Sequence, residues 1–146
     1  MTELHFHTGV DDPLAYTCRL LRKGWRSGRS LVVTGTPQTL DELDQLLWTF
    51  EPGEFVPHLR LRAAGSAPAH LQRTPIWLVD EALTAPWRDV LVHLGSAAAP
   101  ELTKFKRLIE VVGSSPDQAQ AGRQRWRQYL SQGLEPQNHP QAQSEG

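Results

Sequence analysis

The four residues Leu31-Val32-Val33-Thr34 constrain the fold most. A strand with one wet face alternates apolar and polar side chains, whereas a run that is apolar on both sides suits a strand covered above and below, as in a parallel sheet between helices. The preceding segment is helical. Asp12-Pro13 places a capping side chain before a proline at the first helical position. Leu14, Cys18, Leu21 and Trp25 then recur at helical spacing, Arg19, Arg22, Lys23 and Arg26 take the other side, and Gly28 ends the element. Leu4-His5-Phe6-His7 reads as a short strand before this helix. Strand, helix and strand in that order make a right-handed crossover the default.

The rest of the chain follows the same alternation. Thr36-Pro37 opens a second helix, lined by Leu40, Leu43, Leu46, Leu47 and Trp48 and broken at Pro52-Gly53. Glu54-Phe55-Val56-Pro57-His58 is too short and proline-interrupted for a central strand and is expected at the surface. Residues 63–69 are small and turn-rich and read as a loop. Ile76-Trp77-Leu78-Val79, Val90-Leu91-Val92-His93-Leu94 and Leu108-Ile109-Glu110-Val111-Val112 complete five strands, and a last helix follows Gly113. From residue 135 onward nothing apolar remains to bury, so order is not expected there. The predicted organisation is one α/β domain over 1–134 and a disordered segment over 135–146.

The last helix carries the most informative surface. Ser115 can cap it, Pro116 takes its first position, and Gln118 completes a capping box. Ala119, Gly122, Trp126 and Tyr129/Leu130 form the expected inward stripe. Arg123 and Arg127 stand one turn apart along its edge, with no acid four positions away to neutralise either. Fifteen basic against sixteen acidic residues give a net charge of -1, so any anion site must be local and strong direct binding of nucleic acid is not expected. A solvated basic face beside a core tryptophan is the plainer reading of the same residues. Lys104, Lys106 and Arg107, ahead of the fifth strand, are further cations that could add to the field.

Other chemistry is sparse. One cysteine, Cys18, excludes an internal disulfide and a cysteine zinc cluster, and it sits where a small packing residue would serve. His5 and His7 share one face of a strand but lack an obvious third metal ligand, and His58, His70, Asp80 and His93 are scattered, so no metal or cofactor is expected. No nucleophile elbow and no dinucleotide or P-loop fingerprint is present. Gly35-Thr36, between a strand and a helix, keeps open a small α/β enzyme that binds a phosphate-containing ligand there. No apolar run reaches membrane-spanning length and no signal peptide opens the chain, so a soluble, intracellular protein is expected. Trp48, Phe50, Phe55, Val56 and Pro57 cluster around the break after the second helix. Part of that cluster is expected as an interface and Phe50 as a cap on the core.

Several separated motifs, in order and together spanning residues 3–134, resemble the chi subunit of bacterial DNA polymerase III holoenzyme. They are Trp25-Arg26-Ser27-Gly28, Leu47-Trp48, Phe55-Val56-Pro57-His58, Asp89-Val90-Leu91-Val92-His93-Leu94, Ile109-Glu110-Val111-Val112 and Arg123-x-Arg125-Trp126-Arg127-x-Tyr129. The resemblance implies a three-layer α/β/α domain with a mainly parallel five-stranded sheet and no enzymatic activity. It further implies a cytoplasmic, replisome-associated adaptor between the clamp loader and single-stranded DNA-binding protein. Trp48, Phe55 and Pro57 would face the psi subunit, and Arg123, Trp126 and Arg127, with Tyr129 nearby, would take the acidic C-terminal tail of the single-strand binder. Trp126 and Arg127 stand where the family commonly has tyrosine and lysine, which keeps an aromatic wall and a positive charge. Gly113-Ser114-Ser115 is more polar than the family's usual run.

Overall fold

The computed structural model describes residues 2–62, 67–95 and 97–141. Seven strands form one sheet in the order β3-β4-β2-β5-β6-β1-β7, with every neighbouring pair parallel. They are β1 (Glu3–Val10), β2 (Leu31–Thr34), β3 (Leu59–Leu61), β4 (Ile76–Val79), β5 (Val90–His93), β6 (Arg107–Gly113) and β7 (Gln137–Pro140). Three α-helices connect them: α1 (Pro13–Arg26), α2 (Pro37–Thr49) and α3 (Pro116–Ser131). Each opens with a proline behind the expected cap, Asp12 accepting from the Ala15 N–H, Thr36 from Thr39 and Ser115 from Gln118. Gln118 departs from the expected capping box, because its Oε1 accepts from the Gly113 N–H at 2.9 Å and so fastens the helix start to the end of β6.

The direction of each connection decides its layer. The two that move toward the β3 edge carry α1 and α2, which pack with Leu31, Val33, Ile76, Leu78, Val90, Val92, Ile109 and Val111 in one cluster. Those that move toward the β7 edge bury Ala82, Ala85, Ala99, Leu102, Phe105 and Tyr129 against Val32, Trp77, Leu91, Leu108 and Val112 on the opposite face. One handedness of crossover produces this division. The alternation of partners along β2, β4, β5 and β6 also explains their unbroken apolar character, since each face meets its own layer. Cys18 is a packing group: it is fully buried, and burial pushes its thiol up to about 12. No helix among the described residues is long and apolar enough to cross a membrane.

Two strands exceed the five expected. β3 is a three-residue edge strand held to β4, and its Leu59-Arg60-Leu61 alternation is too short to announce a strand. β7 lies within the segment expected to be disordered. Its residues bury little, and it forms because β1 offers an open edge: His5, Phe6, His7 and Thr8 pair with Gln137, Asn138, His139 and Pro140. The last five residues, 142–146, lie outside the described residues, as do four of the expected loop, 63–66.

β7 also completes a histidine group. His5 and His7 share a face as expected, and His5 Nδ1 lies 2.8 Å from His139 Nε2 while His7 Nδ1 is hydrogen-bonded to the Tyr16 hydroxyl. His5 Nδ1, His139 Nε2 and His7 Nδ1 are thus engaged with one another or with the phenol, and among the described residues no group of histidine, cysteine or acid side chains is arranged to hold a metal ion. Burial draws His7 from the ordinary 6.5 down to about 4, with His139, His5 and Arg107 adding repulsion. Burial likewise lowers His5. The folded state thus favours neutral imidazoles that the unfolded chain would protonate near 6.5, so their contribution is fully present above that pH and is lost as pH falls toward about 4. Urea unfolding midpoints measured across this window should fall with pH, and His7→Gln should flatten that fall; an unchanged slope in the variant would contradict the account.

Candidate functional site

A cleft of about 600 Å³ opens where α3 lies across the ends of β1 and β6. Phe6, Thr8 and Gly9 come from β1, Val112 and Gly113 from β6, Ala119, Gly122, Arg123, Trp126 and Arg127 from α3, and Asn138 from β7. The close approach of helix to sheet rests on Gly122, where a Cβ would stand 2.7 Å from Val112 Cγ1. Trp126 is half-buried and meets the Phe6 ring edge-on at 5.0 Å between centroids, which makes one apolar wall. Arg123 and Arg127 are exposed beside it, and neither forms an ion pair among the described residues. Thr8 donates to Asn138 Oδ1 at 2.8 Å, so β7 is tied to the rim.

The inward stripe of α3 differs from expectation. Gly122, Arg125 and Tyr129 are its buried residues, while Leu130 is 50% exposed. Arg125 is drawn inward by Glu110, a carboxylate on β6 with 0% exposure. Arg125 Nε lies 3.2 Å from Glu110 Oε1, His93 Nδ1 lies 2.7 Å from the same oxygen, and the Tyr129 hydroxyl bonds to Oε2. Burial, reinforced by the Glu110 charge, raises the Tyr129 pKa, so the neutral phenol donates to the carboxylate while accepting from the Ala99 N–H at 2.9 Å. Tyr129 therefore cannot touch a ligand in the cleft; it is an anchor of α3, which corrects its expected place among the tail-facing residues. Nothing in the sequence marked Arg125 as buried, although an acid in the midst of an apolar strand, Glu110, called for a partner.

Lys104, Lys106 and Arg107 lie at or before the amino end of β6, roughly 20 Å of strand from Gly113, and line no part of the cleft. Arg107 is instead paired with Glu3 at 3.0 Å.

At the other edge of the sheet, on the α1/α2 face, Trp48 and Phe55 are 56% and 60% exposed with ring centroids 5.5 Å apart. Pro57 is half-buried beside them, and Val56 is buried and anchors the segment. The His58 ring lies 4.8 Å from Trp48, with Nδ1 2.8 Å from the Val56 carbonyl oxygen and Nε2 3.0 Å from Asp44. Arg22 and Arg26 brace Glu54 from α1, and Phe50 packs on the core as expected. The two aromatic surfaces thus occupy opposite edges and opposite faces. The Gly35-Thr36 turn opens onto clefts lined by Asp12, Glu42, Asp117 and the Glu110-paired Arg125 on one side and by Asp80, Glu81 and Glu101 on the other, so acids outnumber cations around it and disfavour a phosphate.

Three comparisons bear on this arrangement. Residues 1–137 match the family model described as DNA polymerase III chi subunit, HolC. DNA polymerase III subunit chi of Pseudomonas aeruginosa is 32% identical over 130 residues, covering 86% of this chain and 84% of that one. Its counterpart from Haemophilus influenzae is 30% identical over 118 residues, covering 80% and 78%. Among solved structures, the C-terminal domain of S. cerevisiae Dbp5 superposes with a TM-score of 0.57 at 12% identity, covering 96% of this chain and 90% of that one, a likeness of fold alone.

Glu110→Gln should break the buried ion pair with Arg125, a change that typically costs about 3–5 kcal/mol. Chemical unfolding of the variant beside the wild type measures it, and a loss below about 1 kcal/mol would show that the carboxylate is not what holds α3.

Proposed function

The chain belongs to the DNA polymerase III chi subunit family, and on that premise we propose that it is a replication adaptor that joins the clamp loader to single-stranded DNA-binding protein. Family membership itself carries a role in DNA replication as an accessory subunit distinct from the catalytic one. The observation that supports the finer reading is the α3 cleft, which gathers Arg123, Trp126 and Arg127 around a space the size of a few side chains. An acidic peptide that ends in an aromatic residue and a free carboxylate suits it. An arginine fork takes the carboxylate with paired N–H bonds, and the aromatic ring packs against the apolar wall made by Trp126 and Phe6. Trp48, Phe55 and Pro57 then serve the second partner, psi or an equivalent clamp-loader protein, through an exposed apolar patch of the kind that anchors interfaces. Separation of the two surfaces by the full width of the sheet lets both partners bind at once.

Arg123→Ala and Arg127→Ala should each weaken binding of the single-strand binder's C-terminal peptide, with Arg123 the larger loss. A hydrogen bond to a charged group contributes about 1.5–3 kcal/mol, which corresponds to about tenfold to a hundredfold in affinity. Binding by the wild type should decline with salt, and the double variant should show a shallower dependence. Fluorescence anisotropy with labelled peptide at two salt concentrations, with thermal melts alongside, reads this. Single variants that fold and bind as the wild type does would place the peptide elsewhere.

Trp48→Ala and Phe55→Ala should leave that peptide's affinity intact while reducing affinity for the clamp-loader partner by about 2 kcal/mol or more. Calorimetry with each partner in turn measures both. A variant that keeps full affinity for the second partner would remove the patch from the interface.

A further inference from the structure

On the α1 face of the sheet, near the amino ends of β2, β5 and β6, the second half of α1 and the strands border a pocket of about 440 Å³. Three cations line it, Lys23 from α1, Arg29 from the connection to β2 and Arg107 from β6. Three histidines join them, His5 and His7 from β1 and His139 from β7. No acid lines this pocket, in contrast to the clefts beside Gly35-Thr36. Arg29 is paired with Asp89 at 3.2 Å and Arg107 with Glu3 at 3.0 Å, both acids outside the lining, and each five-donor guanidinium keeps N–H groups beyond its pair. The exposed Lys23 has no ion pair among the described residues.

The independent sign of a ligand is His5 Nε2, a buried nitrogen with no hydrogen-bond partner among the described residues. His58 Nε2 and His93 Nδ1 each meet a carboxylate, at 3.0 and 2.7 Å, but Glu3 Oε1 stands 4.0 Å from His5 Nε2, beyond hydrogen-bond reach. The other oxygen of Glu3 is committed to Arg107. His5 Nδ1 faces His139 Nε2, and when His139 donates across that contact the His5 proton sits at Nε2, a donor left unmet. Positive potential collects here as well: after burial, which is the larger cause, Arg107 and His139 hold His5 back from the charged form, and His139, His5 and Arg107 do the same to His7. An imidazole N–H, an ammonium and two guanidinium forks are the donors that grip a tetrahedral oxyanion. We propose that this pocket binds a phosphate group, with Lys23, Arg29 and Arg107 supplying charge and His5 Nε2 donating to one oxygen. The proposal is independent of the peptide-binding reading of the α3 cleft, which opens on the opposite face of β1.

The test follows the imidazole resonances of the full chain by NMR at fixed pH during titration with sodium phosphate. Methyl phosphate forms the second arm, and sodium chloride at matched ionic strength is the control. A saturable shift of the His5 ring is expected, with affinity about fivefold weaker in Lys23→Gln, an exposed substitution that breaks no ion pair among the described residues. Saturation by inorganic phosphate alone assigns the free anion, and saturation by methyl phosphate assigns a phosphate carried on an ester. Absence of saturation with either compound, a shift that sodium chloride reproduces, or equal affinity in Lys23→Gln would overturn the proposal.

Discussion

The carboxylate of Glu110 is the interaction on which the rest of the molecule depends. It sits in the middle of the sheet with no access to water, and it is satisfied from three directions by His93, Arg125 and Tyr129. A buried charge is tolerable only with such partners, and once they are present they fix what carries them. His93 fixes β5 to β6, and Arg125 and Tyr129, one turn apart, fix the rotation of α3 about its own axis. That rotation sets Trp126 against Phe6 and places the exposed Arg123 and Arg127 along the cleft at the ends of β1 and β6.

Registration extends the same constraint sideways. Thr34 pairs with His93, His93 with Glu110, Glu110 with Phe6 and Phe6 with Asn138, so one row of residues crosses five strands. At one end of the row lies the acid-lined cleft beside β2, and at the other lies the cleft that holds Trp126. Both openings therefore inherit their position from strand pairing, which is the least deformable part of the fold.

Much of this was legible in the residues because it follows from local rules. Caps at Asp12, Thr36 and Ser115 fixed the helix starts, and doubly covered strands such as Leu31–Thr34 declared a parallel sheet. The missed features depend on contacts distant in sequence. β3 and β7 are polar or short and become strands only because β4 and β1 offer edges. Arg125 looked like one more surface cation, because the pull of Glu110 acts across a separation that helical periodicity does not express. Helical spacing placed Tyr129 on the inward stripe while the family motif set it near the tail-binding residues, and its hydroxyl is committed to Glu110 and to the Ala99 amide, contacts that spacing does not express. The Arg123–Trp126–Arg127 row was legible because charge without a neighbour four positions away is a local property; Phe6 and Asn138, which complete its cleft, were not.

β1 lies between β6 and β7, so the first of the described strands in chain order is flanked by the last two. Its pairings join residues separated by more than a hundred positions, as the Arg107–Glu3 and His5–His139 contacts illustrate. Contacts of that span form late, because closing the intervening chain comes first. A growing chain can assemble β2 and β4 against α2 while β1 waits, and its edges stay vacant until β6 and β7 have been made. The cleft built from β1, β6, α3 and β7 thus cannot exist until segments more than a hundred residues apart have come together, so whatever binds there reads long-range assembly rather than local folding.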